Sequence, residues 1–549
     1  MQIVGIETTE RIDTVRIEQM KNPLAQSSFV LAALVLWQAT VISSPSVFAA
    51  DAGDKSFYNV RNYGAAGDGK NLDSPAIDKA IQAASAAGGG TVYLPPGTYL
   101  SGTIHLASNI HLFMDMGATI LAAPQDMNAY DEPEHWEGTA YQDGGHTYFR
   151  NSLIYGEGLT NVSITGQGMI DGSALSSGDG KQDAVDGFKD WQHPAQTPND
   201  VKLARLGNKA IALKLCRNVL LRDITIFKGG HFAILTTGCD NLTVDNVTMD
   251  TNRDGIDIDC CRNVMVSNCR INSPNDDGLC PKSSFALGRN VITENMTIVN
   301  CMVSGFECGS LLDGTMRPKA KGDGNGRLKF GTEANGGFRN VTVANCVFRS
   351  CKGIALEEVD GGVLENININ NITMMDVNSY AIYVTTGKRN RGPDVKEPSR
   401  MRNVLISNVT ADGVSTNSGI QIFGLPEQPV EGLRLENIRL ICKGGGTEEQ
   451  GKKMPAELNT GYPEPRGVMP AYGVFARHVR GLELANINLN VEKEDKRPAM
   501  VCSDVDGLEV DNFKAQVGDG VAPAKLADVK NIVIRNSPIL KDVSGTEAK

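Results

Sequence analysis

The sequence predicts an all-β protein: a single-stranded right-handed parallel β-helix, a solenoid, with a short N-terminal capping helix. Three observations carry this expectation. Residues 161–539 repeat one pattern, Asn or Gly, then apolar residues at alternate positions, then Asn and a further apolar residue. Copies read NVLLRDITI from Asn218, NLTVDNVTM from Asn241, NVMVSNCRI from Asn263, NMTIVNCMV from Asn295 and NVTVANCVF from Asn340, with others starting at Asn366, Asn403, Gly432, Gly481, Gly507 and Asn531. Alternation in runs this short specifies strands. The shortest spacings between copies are 22 to 26 residues, and a period just over twenty holding several short strands is a solenoid's signature. The Leu frame of a leucine-rich repeat is absent, and β-branched residues dominate. Finally, a second Asn recurs in each copy (Asn246, Asn268, Asn300, Asn345, Asn371, Asn408, Asn437, Asn486, Asn512). Asn tolerates the left-handed backbone of a bend, so these side chains are expected to stack in a hydrogen-bonded ladder between coils.

The elements follow in chain order. Residues 1–50 read as an export signal with an upstream extension: Lys21 precedes the apolar run FVLAALVLWQATVI, and Val47-Phe48-Ala49 supplies small residues at the cleavage positions. The mature chain is then expected to be secreted or periplasmic, free of the membrane after processing, since no later run is long and apolar enough to span a bilayer. Residues 51–125 hold the cap and first coils. The segment DSPAIDKAIQAASAAGGG has helical spacing of Ala and Ile, suited to covering the open end of a solenoid. Residues 126–540 form the β-helix, with pattern-free loop insertions near 173–205, 306–330 and 443–470, and 541–549 is a tail.

Composition excludes some classes. Among 549 residues the net charge is −11 and no basic stripe occurs, which argues against nucleic acid as a partner. Of 12 Cys, Cys269, Cys301 and Cys346 each follow the repeat Asn, so stacked buried thiols are expected before a disulfide framework. No CxxC or His spacing suggests a metal site, and no cofactor is called for. A monomer is expected.

The chemistry concentrates between Asp250 and Ser284, where Asp254, Asp257 and Asp259 precede the pair Asp276-Asp277. Asp254 and Asp277 are 23 residues apart, one coil, so they project from neighbouring rungs and can flank one bond. Hydrolysing a glycosidic bond takes one carboxylic acid to protonate the leaving oxygen and one carboxylate to activate water. Crowded like charges keep a proton on at least one of them near neutrality.

At this point the chain resembles glycoside hydrolase family 28, the polygalacturonases and related pectin-degrading enzymes of the pectate-lyase-like β-helix superfamily. The resemblance lies in the opening FYNVRNYGAAGDGKNLDSPAIDKAIQAASAAGGGTVYLPPGTYLSGTIHL, in NSLIYGEGLTNVSITGQGMIDG, and in Asn252-Arg253-Asp254, Asp276-Asp277 and Lys282-Ser283, which match the family's Asn-Thr-Asp, Asp-Asp and Lys-Ser motifs. It implies a secreted hydrolase of pectin-type polysaccharide, galacturonan or rhamnogalacturonan-related. Asp277 is expected as general acid, Asp254 and Asp276 as holders of the attacking water, with Asn252 and Lys282 contacting substrate and inversion as the outcome. One-rung spacing near 5 Å is instead the separation the general rule links to retention.

Two family motifs are missing. No His follows Gly305 where Gly-His-Gly belongs, and the coil due to carry Arg-Ile-Lys reads Ala355-Leu356-Glu357. That exchange removes and partly inverts the attraction to a uronic carboxylate. Arg327 and Lys329 are candidates to reach the groove from a loop, or are solvated cations. Glu357, with Glu358 and Asp360, either hydrogen-bonds neutral sugar hydroxyls or is an edge charge. Trp191 is a candidate sugar-stacking platform. The long loops suggest exo-action. The alternatives are a polysaccharide lyase on the same scaffold and a β-helix that binds glycans without catalysis.

Overall fold

The computed structural model of the chain describes residues 56–134, 144–176, 207–392, 395, 397–457 and 467–547. The expected export signal and Trp191 lie outside them. Within them, alternation produces strands throughout: 34 strands pair into one continuous sheet that winds coil upon coil. Pairing is parallel except for the last strand, Val543–Glu547, which runs antiparallel to Ala524–Arg535.

Register follows from the repeat. One interior column runs Val162, Val219, Leu242, Val264, Met296, Val341, Ile367, Val404, Leu433, Leu482, Leu508, Ile532, each residue directly above the last. Every member is buried. A slip of one residue would turn the whole apolar set outward, so burial locks the register. Cys269, Cys301 and Cys346 are buried free thiols, as expected, and none of the twelve cysteines forms a disulfide.

At the bends the recurring Asn residues take the left-handed conformation, with φ between 52° and 58° from Asn246 to Asn512. Their amides link coil to coil, as in Asn345 Nδ2 to Asn300 Oδ1 (3.3 Å) and Asn371 Nδ2 to Asn345 Oδ1 (2.6 Å). The structure adds a second ladder that the repeat only hinted at. The first Asn of each motif is also left-handed and bonded to its predecessor, from Asn161 through Asn218, Asn241, Asn263, Asn295, Asn340 and Asn366 to Asn403. Gly432, Gly481 and Gly507 continue it with positive φ, which explains why those motifs begin with Gly.

The cap is the helix Ser74–Ala86, which buries Ile77, Ala80, Ile81 and Ala84. Asp78 on this helix and Asp131 grip the two nitrogens of His105, each at 2.8 Å, tying cap to first coils. The insertion expected at 306–330 ends sooner: Leu328–Phe330 is a strand pairing with Leu279–Lys282 on one side and Ile354–Glu358 on the other. The 443–470 insertion contains a short helix, Glu448–Lys452, with a capping box from Thr447 and Gln450.

Two predictions follow the ladder and the clasp. Asn345→Ala should cost about 1–2 kcal/mol, since Ala pays for a left-handed bend, and Asn345→Gly less; urea midpoints at equal m-values decide, and equal losses would assign the cost to the amide hydrogen bonds instead. Asp78, against the opposing effect of burial and aided by Asp131, holds His105 up at about 9. A raised folded pKa stabilises below the unfolded value of about 6.5 and is lost as pH rises through the folded one. The His105→Gln variant should therefore melt below wild type at ~pH 6, by less than ~1 kcal/mol per exposed pair, and match it at ~pH 10.

Candidate active site

Four successive rungs build the site. The strand Asp254–Asp259 pairs with Leu279–Lys282 so that Asp257 faces Cys280 and Asp259 faces Lys282. Leu328 sits beside Leu279, and Lys329 beside Ala355 on the next rung. The turn that carries Asp276-Asp277 lies against the start of the first strand. Asp277 N–H donates to Asp254 Oδ1 (2.9 Å), and Gly255 N–H donates to the Asp277 carbonyl (2.9 Å). That approach requires Gly255, because a Cβ there would stand 2.4 Å from the Gly278 carbonyl oxygen.

Asp254, Asp276 and Asp277 are thereby brought together: one oxygen of each lies within 4.8 Å of the others, the described acidic group close enough to share a cation. Asp254 and Asp277 are buried, and the side chain of Asp276 is 29% exposed. Arg253 donates to Asp276 Oδ2 (2.8 Å). Arg327, itself fully buried, donates through Nε to Asp277 Oδ1 (2.5 Å), and Lys329 Nζ lies 3.2 Å from Asp277 Oδ2.

These partners split the carboxyls. Burial, reinforced by the charge of Asp276, pushes Asp254 well above the usual carboxylate range. Burial acts on Asp277 too, but Arg327, Lys329 and Lys282 override it and hold Asp277 far below that range. With a cation at each oxygen the ionised form of Asp277 is favoured, while burial favours the protonated form of Asp254; this charge pattern differs from the expectation that Asp277 is the acid.

Other candidates are placed differently from their expected roles. Arg327 and Lys329 belong to a rung, not to an exposed loop, and serve Asp277. Lys282 donates to Glu333 Oε2 (3.0 Å); burial opposes its charge, but Glu333 keeps it well above its ordinary value. Glu357 is fully buried, 3.8 Å from Arg327, not an edge charge. Asn252 stays beside the cluster, its carbonyl accepting from Asn275.

The structure adds residues that sequence reasoning had not assigned. His146 and His231 come from N-terminal segments and pack on Phe232, with centroids 5.0 and 4.3 Å away. His146 Nε2 lies 3.6 Å from Asp257 Oδ2 and 3.9 Å from Glu333, so histidine reaches this region although Gly-His-Gly is missing. Arg389 bonds Glu333 (3.2 Å) and Asp360, and Tyr380 accepts from Arg327. Asp250 accepts from Asn272 and from the backbone N–H groups of Gly309, Leu311 and Leu312, pinning the 306–327 segment. Asp259 is structural, holding Ser284 through its N–H (2.7 Å) and Oγ (2.6 Å). Only the Asp-rich opening hinted at Asp250 and Asp259; nothing local marks His146 or Arg389.

Comparison with known proteins bears on the fold and on what the chain is similar to. Residues 57–280 match the family described as rhamnogalacturonase A/epimerase, pectate lyase-like. A probable polygalacturonase of Vitis vinifera is 24% identical over 398 residues, spanning 69% of this chain and 73% of its own. The exo-poly-alpha-D-galacturonosidase of Dickeya chrysanthemi is 25% identical over 407 residues, spanning 67% of this chain and 64% of its own. The crystal structure of a hyperthermoactive exopolygalacturonase from Thermotoga maritima superposes with a TM-score of 0.56 at 22% identity, covering 79% of this chain and 91% of the other, and shares the β-helix fold.

Removing Arg327 should strand a buried charge: Arg327→Met is expected to cost about 3–5 kcal/mol at neutral pH, and Arg327→Met with Asp277→Leu less than the single change. Because Asp277 is depressed in the fold, its stabilisation is present above the unfolded value of about 3.9 and fades as pH falls below it. Urea unfolding at several pH values should show the wild-type advantage shrinking on acidification; an advantage independent of pH would refute the pairing.

Proposed function

We propose that this polygalacturonase-like parallel β-helix protein is a glycoside hydrolase that cleaves O-glycosidic bonds of pectin-type polysaccharide by carboxylate acid/base catalysis, with inversion, and that it is exported. The observation that carries the reading is the convergence of Asp254, Asp276 and Asp277, one oxygen of each within 4.8 Å of the others, with Arg327 and Lys329 both on Asp277. Carboxyls in unlike environments supply an acid and a base at one pH.

The division of labour follows from access. Asp276 is the partly exposed carboxyl of the three, so water and substrate meet the cluster on its side, with Asp254 behind it as the acid. Asp277 orients the attacking water; with a cation at each oxygen it is too weak a base to take the proton, which passes to Asp276. Inversion is favoured although the nearest oxygens are closer than the general spacing for inverting enzymes. A double displacement needs a free carboxylate nucleophile, and here Asp277 has a cation at each oxygen, Asp254 holds the proton, and Asp276 is bonded to Arg253 and to the Asp277 N–H.

Exo-action is supported by what lies beyond the site. The outward row that carries Lys329 continues through Ala355, Tyr383, Gln421, Phe475 and Val501. There Tyr383, Phe423 and Phe475 pack under Met469 and Ala471 in a buried apolar cluster. A sugar chain cannot continue along a covered face, so the bond cut is near a chain end.

On a panel of pectic polysaccharides, the wild type should release small sugars and reducing ends without ultraviolet-absorbing unsaturated products. Asp276→Asn should lower kcat by about 10²–10⁴-fold with near-native thermal stability; Asp277→Asn should lower kcat similarly and also lose stability, because it leaves Arg327 and Lys329 without their buried counter-charge. As pH rises, activity should fall when the raised Asp254 carboxyl loses its proton. Unsaturated products would make the chain a lyase, mid-chain cuts would remove exo-action, and a retained anomer by NMR would remove inversion.

A further inference from the structure

We infer that the sugar held beside the acid cluster is uncharged and is recognised through its hydroxyl groups, not through a uronic carboxylate; this rests on the hydrolase reading above and specifies its substrate class.

The first ground is that the cations bonded to the cluster and to the neighbouring Glu333 each face a protein carboxylate. Arg253 meets Asp276 at 2.8 Å, Arg327 and Lys329 meet Asp277 at 2.5 and 3.2 Å, and Lys282 meets Glu333 at 3.0 Å. Arg389 bridges Glu333 and Asp360. A ligand carboxylate could be gripped only by taking one of these donors from a buried acid, which would leave that acid without its counter-charge. The next rung offers no replacement. Ala355 stands beside Lys329 and Glu357 is buried next to Arg327, so the groove gains a carboxylate where a cation would be needed. A cleft lined by one sign of charge disfavours a ligand of the same sign.

The second ground is independent and concerns what the site lacks. Buried polar atoms are nearly always hydrogen-bonded, and each exception calls for a partner. Among the exceptions are four oxygens beside the cluster: Asn252 Oδ1, Asn325 Oδ1 and both oxygens of Asp257 have no hydrogen bond. They surround the reacting carboxyls. Asn252 directly precedes Arg253-Asp254, while Asn325 donates its N–H to the Pro274 carbonyl and Gly326 its N–H to the Asp276 carbonyl. Asp257 is fully buried, with His146 at 3.6 Å and Lys282 at 4.0 Å, both beyond hydrogen-bond reach. The two amide oxygens accept, and Asp257 offers an acceptor oxygen as well. Sugar hydroxyls are the donors that suit them, and the carboxylate that distinguishes a uronic sugar adds only acceptors. Failing to pair such groups is what lets a hydrogen-bonding site reject an analogue strongly.

The test uses the full chain and substrates that differ in charge. Initial rates are measured on oligogalacturonides, on the same oligosaccharides after reduction of their carboxyls to primary alcohols, and on pectic oligosaccharides ending in neutral hexose or 6-deoxyhexose. Binding of galacturonic acid and of the neutral monosaccharides is followed in parallel by calorimetry. Neutral-ended substrates should exceed oligogalacturonides by about 100-fold or more in kcat/KM, and their rates should hardly change with added salt. Asp257→Leu should raise KM for them by about tenfold with little change in kcat, while Asp257→Asn, which keeps an acceptor, restores most of it. A purely structural Asp257 would instead shift thermal stability and leave the substrate ranking untouched, and that outcome overturns its role. Faster cleavage or tighter binding of the galacturonate forms overturns the inference while leaving the hydrolase reading intact. Neutral sugars bound in preference but nothing cleaved would sink the hydrolase reading and keep the recognition; absence of both binding and cleavage sinks both.

Discussion

In-register parallel pairing of each coil on the next is the constraint from which this molecule is built. It sets successive rungs about 4.8 Å apart, so a residue in one coil faces its counterpart in the following one whatever loop lies between. That pairing makes the interior column from Val162 to Ile532 continuous. It also stacks Asp254, Asp277 and Arg327 on consecutive rungs. The Asn ladders hold the bends where a chain of L-residues would otherwise resist turning.

On this frame the site resolves an electrostatic problem. Burying carboxylates is costly unless each is matched, and the fold matches Asp277 with Arg327 and Lys329, and Glu333 with Lys282 and Arg389. Such pairs add little net stability over an apolar core. What they change is the balance of protonation: the cations lower the Asp277 carboxyl, while burial raises that of Asp254. The same matching occupies the cations and leaves buried oxygens beside the cluster without a hydrogen-bond donor. Acid chemistry and sugar recognition are thus two consequences of one arrangement of charge.

Much of this was legible in the repeat. Alternation, period and recurrent Asn are local properties, so the β-helix, its cap and the juxtaposition of Asp254, Asp276 and Asp277 could be read from spacing alone. The strand Leu328–Phe330 was not, because three residues between a long loop and the Gly331 turn carry too little alternation to be recognised. From sequence, Arg327 and Lys329 are therefore candidate loop cations, whereas Asp277 as the acid rests on the family resemblance. His146 and Arg389 were invisible for a related reason: no spacing rule links an N-terminal segment, or a turn after a distant strand, to a particular rung.

By itself, then, the sequence determined the coil and hence which carboxyls are neighbours, since register depends only on a period repeated along the chain. The tertiary structure alone decided which cation faces which carboxylate, and through that which carboxyl keeps the proton and which oxygens await a partner. Those outcomes depend on side chains from four rungs and an N-terminal segment converging in a buried volume, where a shift of a few ångströms changes the Coulomb energy by more than the intrinsic difference between one aspartate and another.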